Sequence, residues 1–407
     1  MNIISKEWRH FNTLPFKTRA LIASLTMGSI ASPLFTLFVN SFIWRSTSSF
    51  FNVAIYNLGF FIFLPVGFYV NGLLLKKIKI TRLYLISLII STASVLAVIF
   101  FSGNVFWHFL IYGFIFGFGN GMYWGNRNFL SFQETKSKQR NYFFSIISVL
   151  NSLIALFVTF AVGWFIQLGE YSSLYTPTTA YWMFSILASI ALIASGLIIL
   201  KTDYQSPEVN KILRFRISRK WNIIRFIGFN VGVLEGMGFF LPTLLVLFYL
   251  GGEGILGTIS TIVILFTVAA TYLYGRLSKR RHRRPAFFGS LIFYIILASL
   301  LFILNHPYNI IIFVLFAGVP TIFQWLTIDP LWLDVMDKEI NKEQDNQYSL
   351  IFDREIFLNA GRIVSILILF LLIEVTSRRI GFFIAPLVLG VSQLILMSFA
   401  WNKKTFL

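Results

Sequence analysis

The 407-residue sequence contains no cysteine, which excludes disulfides, thiolate metal sites and cysteine nucleophiles. Charge is also scarce: Asp, Glu, Lys and Arg make up 12% of the chain, where an ordinary soluble domain carries about 25%. Acid is the scarcer sign, with 16 Asp and Glu against 34 Lys and Arg, for a formal net charge of +18. No Gly-x-x-x-x-Gly-Lys-Ser/Thr occurs, so nothing supports ATP-driven work by this chain alone. Gly-x-Ser-x-Gly and His-Glu-x-x-His are absent too, and the four histidines show no metal-ligand spacing. What the chain does have is apolar: 57% hydrophobic residues, 18% aromatic residues and 47 Phe. Too little polar surface remains to face water on all sides, so the solvent is largely lipid. The basic residues sit in short clusters between long apolar runs, a membrane-topology pattern rather than a nucleic-acid footprint.

A helix needs about 20 apolar residues to cross a bilayer. Runs of that kind predict an all-α, polytopic membrane protein with twelve spans: 20–43, 51–75, 83–101, 105–125, 143–168, 180–200, 223–250, 255–275, 286–304, 310–333, 356–375 and 381–401. The first run is longer than a signal-peptide core and lacks a convincing cleavage site. Residues 1–19 mix Trp8, Phe11 and Phe16 with Lys6, Arg9, Lys17 and Arg19, as a cytoplasmic amphipathic segment would. The expected organisation is a bundle over 20–200, a cytoplasmic linker over 201–222, a second bundle over 223–402 and a tail over 403–407. Alternation of the spans collects thirty of the Lys and Arg residues on one side and leaves Arg45, Arg378 and Arg379 on the other. The positive-inside rule then places both termini in the cytoplasm, with the plasma (cell inner) membrane as the expected location. The loops are too short to hold a catalytic domain, so no enzyme and no cofactor is expected. The basic run 276–284 reads as a topology determinant facing anionic headgroups.

The linker divides the spans six plus six, and a repeated motif supports a duplication. Gly72 is followed by Lys76 and Lys77 after the second span; Gly275 is followed by Lys279 and Arg280 after the eighth. On these residues and this architecture the chain resembles the major facilitator superfamily, whose signature in the same two loops reads roughly Gly-x-Leu-Ala-Asp-Arg-x-Gly-Arg-Arg. It keeps the glycines and basic residues but has Lys76 and Lys279 at the acidic position. The fifth span contains Gly163 but no Gly-Pro antiporter motif. The resemblance implies two pseudo-symmetric six-helix bundles, with spans one, four, seven and ten lining a midplane cavity.

Within that frame several residues stand out. Glu235, a carboxylate in the middle of the seventh span, is costly when ionised and unpaired, and is the proton-coupling candidate. Arg127, Asp329 and Arg362 are expected as a cytoplasmic gate whose ion pairs cross between the halves. Asn40, Asn120, Tyr123, Trp124, Gln324 and Trp325 are the cavity candidates, amides and aromatic planes suited to an organic solute. Gly113, Gly117, Gly121 and Gly125 in the fourth span, and Gly228, Gly232 and Gly236 in the seventh, recur every four residues, a close-packing pattern that also suits a sliding face. The acidic segment from Asp334 to Glu355 is expected on the cytoplasmic side, against the basic linker. The expected function is a monomeric secondary transporter moving a small organic solute by alternating access, coupled to protons. An uncoupled facilitator and a lipid-translocating or sensing membrane protein are the alternatives.

Overall fold

The computed structural model describes residues 11–400 except 102, 104, 136, 208, 210, 211, 214–217, 278, 279, 305 and 344–346. The amphipathic segment is therefore described only from residue 11. The tail and Lys279 of the second motif lie outside the described residues.

Among the described residues the regular structure is all helix, with no strand. Twelve long helices follow one another: α1 Phe16–Thr47, α2 Phe50–Leu74, α3 Ile80–Phe101, α4 Phe106–Gln133, α5 Ser137–Ser172 and α6 Pro177–Leu200. The second six are α7 Arg219–Tyr249, α8 Glu253–Leu277, α9 Arg283–Leu304, α10 Pro307–Glu343, α11 Gln347–Val375 and α12 Arg378–Ala400. Eleven of them are long and apolar enough to cross a membrane. The exception is α4, which is 28 residues long but diluted by glycines, Asn120, Tyr123 and Trp124.

Pro33 and Pro242 cannot donate to the preceding turn, so α1 and α7 are interrupted near their middles. In α1 the ladder loosens into a π turn over Leu34–Phe38. In α7 it stops at Gly238 and restarts at Leu241. Two helices run well beyond their expected ends. α10 continues through Pro320 and Pro330 to Glu343, and α11 begins at Gln347, nine residues before the expected start. The charges at Asp353–Glu355 imitate a loop in the sequence, yet they are packed inside a helix.

Helix packing repeats with an offset of six. In the first half α1 packs on α5 and α6, α2 on α4, and α3 on α4 and α6; in the second α7 packs on α11 and α12, α8 on α10, and α9 on α10 and α12. Contacts between the halves run mainly through α2 with α11 and α5 with α8, with the ends of α1 and α7 meeting as well. The loops joining α2 to α3 and α6 to α7 share one end of the bundle, here called the linker face. The turns joining α1 to α2 and α7 to α8 lie at the far face.

The glycine stripes hold each half together. A β-carbon at Gly113, Gly117 or Gly121 would overlap the carbonyl oxygens of Tyr56, Phe60 and Leu64 on α2. Gly232 and Gly236 stand against the carbonyls of Leu358 and Arg362 on α11. The stripes thus belong to α2–α4 and α7–α11 packing within a half. Gly125 differs, since a β-carbon there would stand 2.8 Å from the Tyr348 hydroxyl of the opposite half, and one at Gly228 would meet nothing nearer than 3.9 Å. Glycine meets glycine between the halves at Gly163 on α5 and Gly257 on α8.

Candidate functional site

Close approach of α7 and α11 sets the site. Because Gly232, Gly236 and Gly361 lack side chains, the two backbones touch, and Arg362 reaches Glu235 across the seam. Its Nη2 donates to Glu235 Oε2 at 2.7 Å and its Nε to the same oxygen at 3.1 Å. Nη1 donates to Asn359 Oδ1 at 3.0 Å, and the guanidinium lies over the rings of Phe61 and Phe239. Both side chains of the pair are largely covered, at 10% and 15% exposure.

Eight residues earlier on α11, Arg354 Nη2 donates to Asp329 Oδ1 on α10 at 2.9 Å. Its guanidinium is 4.9 Å from the Trp325 ring centroid and 4.1 Å from that of Trp332. Residues three and four apart share a helix face, so Trp325, Asp329 and Trp332 form one wall. Arg354 is 11% exposed whereas Asp329 is 49% exposed, so the group presented to open space is the carboxylate. Glu355 completes the cluster. It accepts from Asn359 Nδ2 at 3.5 Å, and among the described residues it has no ion pair.

The expected gate therefore takes a different form. Arg362 pairs with Glu235 and Asp329 with Arg354, both within the second half. Arg127 lies in the first half over the Trp124 ring, 4.3 Å from its centroid, with no acidic partner among the described residues. No pair among the three expected gate residues forms, because α11 presents its arginines to its own bundle.

The cavity candidates also divide. Trp124 is exposed, Trp325 covers Arg354, and Tyr123 packs between Tyr84 and Trp124. Asn40 is buried, donating to Thr36 O and accepting from Asn57 Nδ2 at 2.8 Å. Gln324 is buried and exchanges two hydrogen bonds with Gln393. Asn120 turns toward Ser91 on α3 and Phe116 O. These three amides join helices instead of lining open space.

The expected contact of the acidic segment with the linker is partly present: Ser218, at the linker's end, donates to Glu339. Asp353 instead binds α7, accepting from Arg225 Nη2 at 2.6 Å and Trp221 Nε1 at 2.6 Å, and Asp334 pairs with Arg283.

A second charged network closes the far face, and it does cross the halves. Arg45 of α1 holds Glu253 of α8 with two bonds of 2.7 Å and reaches Glu170 of α5 at 3.0 Å. Tyr181 of α6 donates to Glu253 at 3.0 Å. Glu253 is 1% exposed. Beside it Phe50 packs on Phe240, Phe370 and Phe382. At the linker face the halves meet through neutral groups: Asn71 donates to the Tyr348 hydroxyl at 3.0 Å, and that hydroxyl donates to Phe68 O at 2.8 Å. Sequence reasoning missed Arg354 and Glu355 as site residues, which a span starting at Gln347 would have included, and did not single out Trp332 within the tenth span. It also missed the Arg45–Glu253 lock, whose members look like ordinary loop charges.

The sequence pattern of the Major Facilitator Superfamily matches residues 20–353. The chain belongs to that family. It is similar to the uncharacterized protein YqgE of Bacillus subtilis (strain 168), 27% identical over 383 residues that cover 92% of this chain and 87% of that one. Its fold is similar to that of a bacterial homologue of the human lysosomal transporter Spinster, solved inward-facing and occupied, with a TM-score of 0.65, 12% identity and coverage of 95% of this chain and 98% of that chain. It is also similar to the fucose:proton symporter FucP of E. coli, with a TM-score of 0.60, 14% identity and coverage of 95% and 98%. The protein is thus a multi-pass membrane protein with a transporter fold.

Proposed function

We propose that this protein is a secondary transporter that moves a small organic solute by alternating access and is coupled to protons. The observation that carries the reading is the cluster of Glu235, Asp329, Arg354, Glu355 and Arg362 within spanning helices of a transporter fold. Ionisable groups in that setting are costly, and they mark ion and substrate pathways. The solute site lies between Asp329, Trp325 and Trp332 on one wall and Tyr123, Trp124 and Arg127 on the other. Arg127 and Asp329 come from opposite halves and form the cytoplasmic gate pair when the linker face closes. The Arg45–Glu253–Glu170 lock breaks when the far face opens. The linker face is cytoplasmic and the membrane is the plasma membrane, in keeping with the basic loops. The working unit is one chain.

Thermal stabilisation of the purified protein across a metabolite library identifies the solute, and Trp124→Ala and Trp325→Ala abolish the shift. Uptake into proteoliposomes then tests coupling. Accumulation should follow an imposed pH gradient, collapse with an uncoupler, and fall at least about tenfold in Asp329→Asn, the equivalent of roughly 1.4 kcal/mol. Uptake that equilibrates but never concentrates, with or without the gradient, would assign an uncoupled facilitator.

A further inference from the structure

The cluster on α7, α10 and α11 holds three carboxylates and two guanidiniums, and the geometry shows which carboxylate is left over. Arg362 is committed to Glu235 at 2.7 Å and Arg354 to Asp329 at 2.9 Å. Among the described residues Glu355 has only the Asn359 amide, at 3.5 Å. Hydrogen bonds to an ionised carboxylate shorten to about 2.7–2.9 Å, so this longer contact would compensate a charge on Glu355 only weakly. The charged groups acting on Glu355 are Arg354 and Arg362 of its own helix, Glu235 of α7 and Asp329 of α10. α2 also packs against α11 through aromatic rings, Phe61 against Arg362, Phe68 against Tyr348 and Tyr69 against Phe352.

Asn359 connects the leftover group to the paired ones. It is fully buried. Its Nδ2 donates to the backbone carbonyl of Glu355 at 2.8 Å and lies 3.5 Å from Glu355 Oε2, and its Oδ1 accepts from Arg362 Nη1 at 3.0 Å. Glu355, Asn359 and Arg362 lie at i, i+4 and i+7, along one stripe of α11. A line of polar contacts therefore runs from Glu355 through Asn359 and Arg362 to Glu235.

We propose that Glu355 is the carboxyl that binds the coupling proton, and that Asn359 is the positioning residue through which its charge state reaches the Glu235–Arg362 pair. This deepens the proton-coupled reading and rests on it for its role in transport, but proton binding itself is measurable without a solute. In the state described, Glu355 carries the proton and leaves both guanidiniums to their partners. When the proton leaves to water, the new carboxylate draws the Asn359 amide into a short bond. The carboxamide turns with it, and Arg362 loses one acceptor. Glu235 is held by two bonds to Arg362, so the proton candidate read from the sequence becomes the receiver of the signal.

Infrared spectroscopy of the full-length protein in lipid, titrated with pH, tests this. The wild type should show the carbonyl stretch of a neutral carboxylic acid that disappears as pH rises and shifts on transfer to deuterium oxide. Glu355→Gln should lose that band. Asp329→Asn and the double variant Glu235→Gln/Arg362→Gln should keep it. Because Glu355→Gln can also fail to fold, Glu355→Asp serves as a second probe, expected to keep a titrating band at a changed frequency and midpoint. Asn359→Ala should keep the band but move its midpoint. A band that survives in Glu355→Gln, is unchanged in Glu355→Asp, or is missing from the wild type overturns the assignment. Uncoupler-insensitive uptake with the band intact would overturn the transport reading and leave the proton site standing.

Discussion

Arg362 sits deep in a spanning helix, and its position there depends on one carboxylate. Removing one partner of a covered ion pair leaves the other charge stranded, at a cost of about 3–5 kcal/mol, more than the intact pair contributes. Glu235→Gln should therefore lower the thermal unfolding temperature in detergent, and Glu235→Gln/Arg362→Gln should recover most of the loss. Equal loss in single and double variants would mean that the pair does not share its burden. Asp329 and Arg354 form a less symmetrical pair, with the arginine screened by Trp325 and Trp332 and the carboxylate open. The Trp332→Ala variant should expose Arg354 and weaken its hold on Asp329, read as faster reaction of Asp329 with a water-soluble carbodiimide. Glu235, Asp329 and Arg362 are conspicuous in the sequence because each interrupts an apolar run. Arg354 and Glu355 are not, since Asp353 and the polar residues before it resemble a loop.

At the level of helices, the four-residue glycine spacing correctly signals close packing, and the structure supplies the partner. Gly121 on α4 faces the Leu64 carbonyl and the Phe68 amide of α2, whereas Gly228 on α7 has open space to 3.9 Å. Gly121→Ala should thus cost about 1–3 kcal/mol through overpacking, and Gly228→Ala should be close to neutral. Monodisperse yield and unfolding temperature in detergent check both; equal tolerance at the two sites would show that α2 and α4 separate easily. α4 also shows why hydropathy misjudges a helix at the centre of such a fold. Its glycines give up apolar surface so that backbone can meet backbone. The interruptions at Pro33 and Pro242 could be anticipated as weak points, but not that one becomes a π turn and the other a clean break.

For the whole molecule, the far-face lock joins α1, α5, α6 and α8 across the two halves, next to the Gly163–Gly257 crossing. Arg45→Gln leaves Glu253 buried without its guanidinium, which should favour the state open at the far face. The natural absence of cysteine makes this measurable, because a single Phe240→Cys substitution places one thiol behind the Phe50 cluster. Arg45→Gln should raise its labelling rate by an impermeant maleimide about 5- to 150-fold, the range of a 1–3 kcal/mol shift between two states. An unchanged rate would remove the lock from the mechanism.

The number of spans, their division into six and six, and the face that gathers the basic residues all follow from composition and order along the chain. Lipid imposes those features on any apolar polymer of this length, since each crossing must satisfy its own backbone and each cation prefers headgroups and water. Which charges meet is another matter. Glu235 and Arg362 lie 127 residues apart, and Arg45 and Glu253 lie 208 apart. Hydropathy and periodicity along the chain do not encode such pairings. They arise only when glycine-faced helices press together and decide which side chains share a seam.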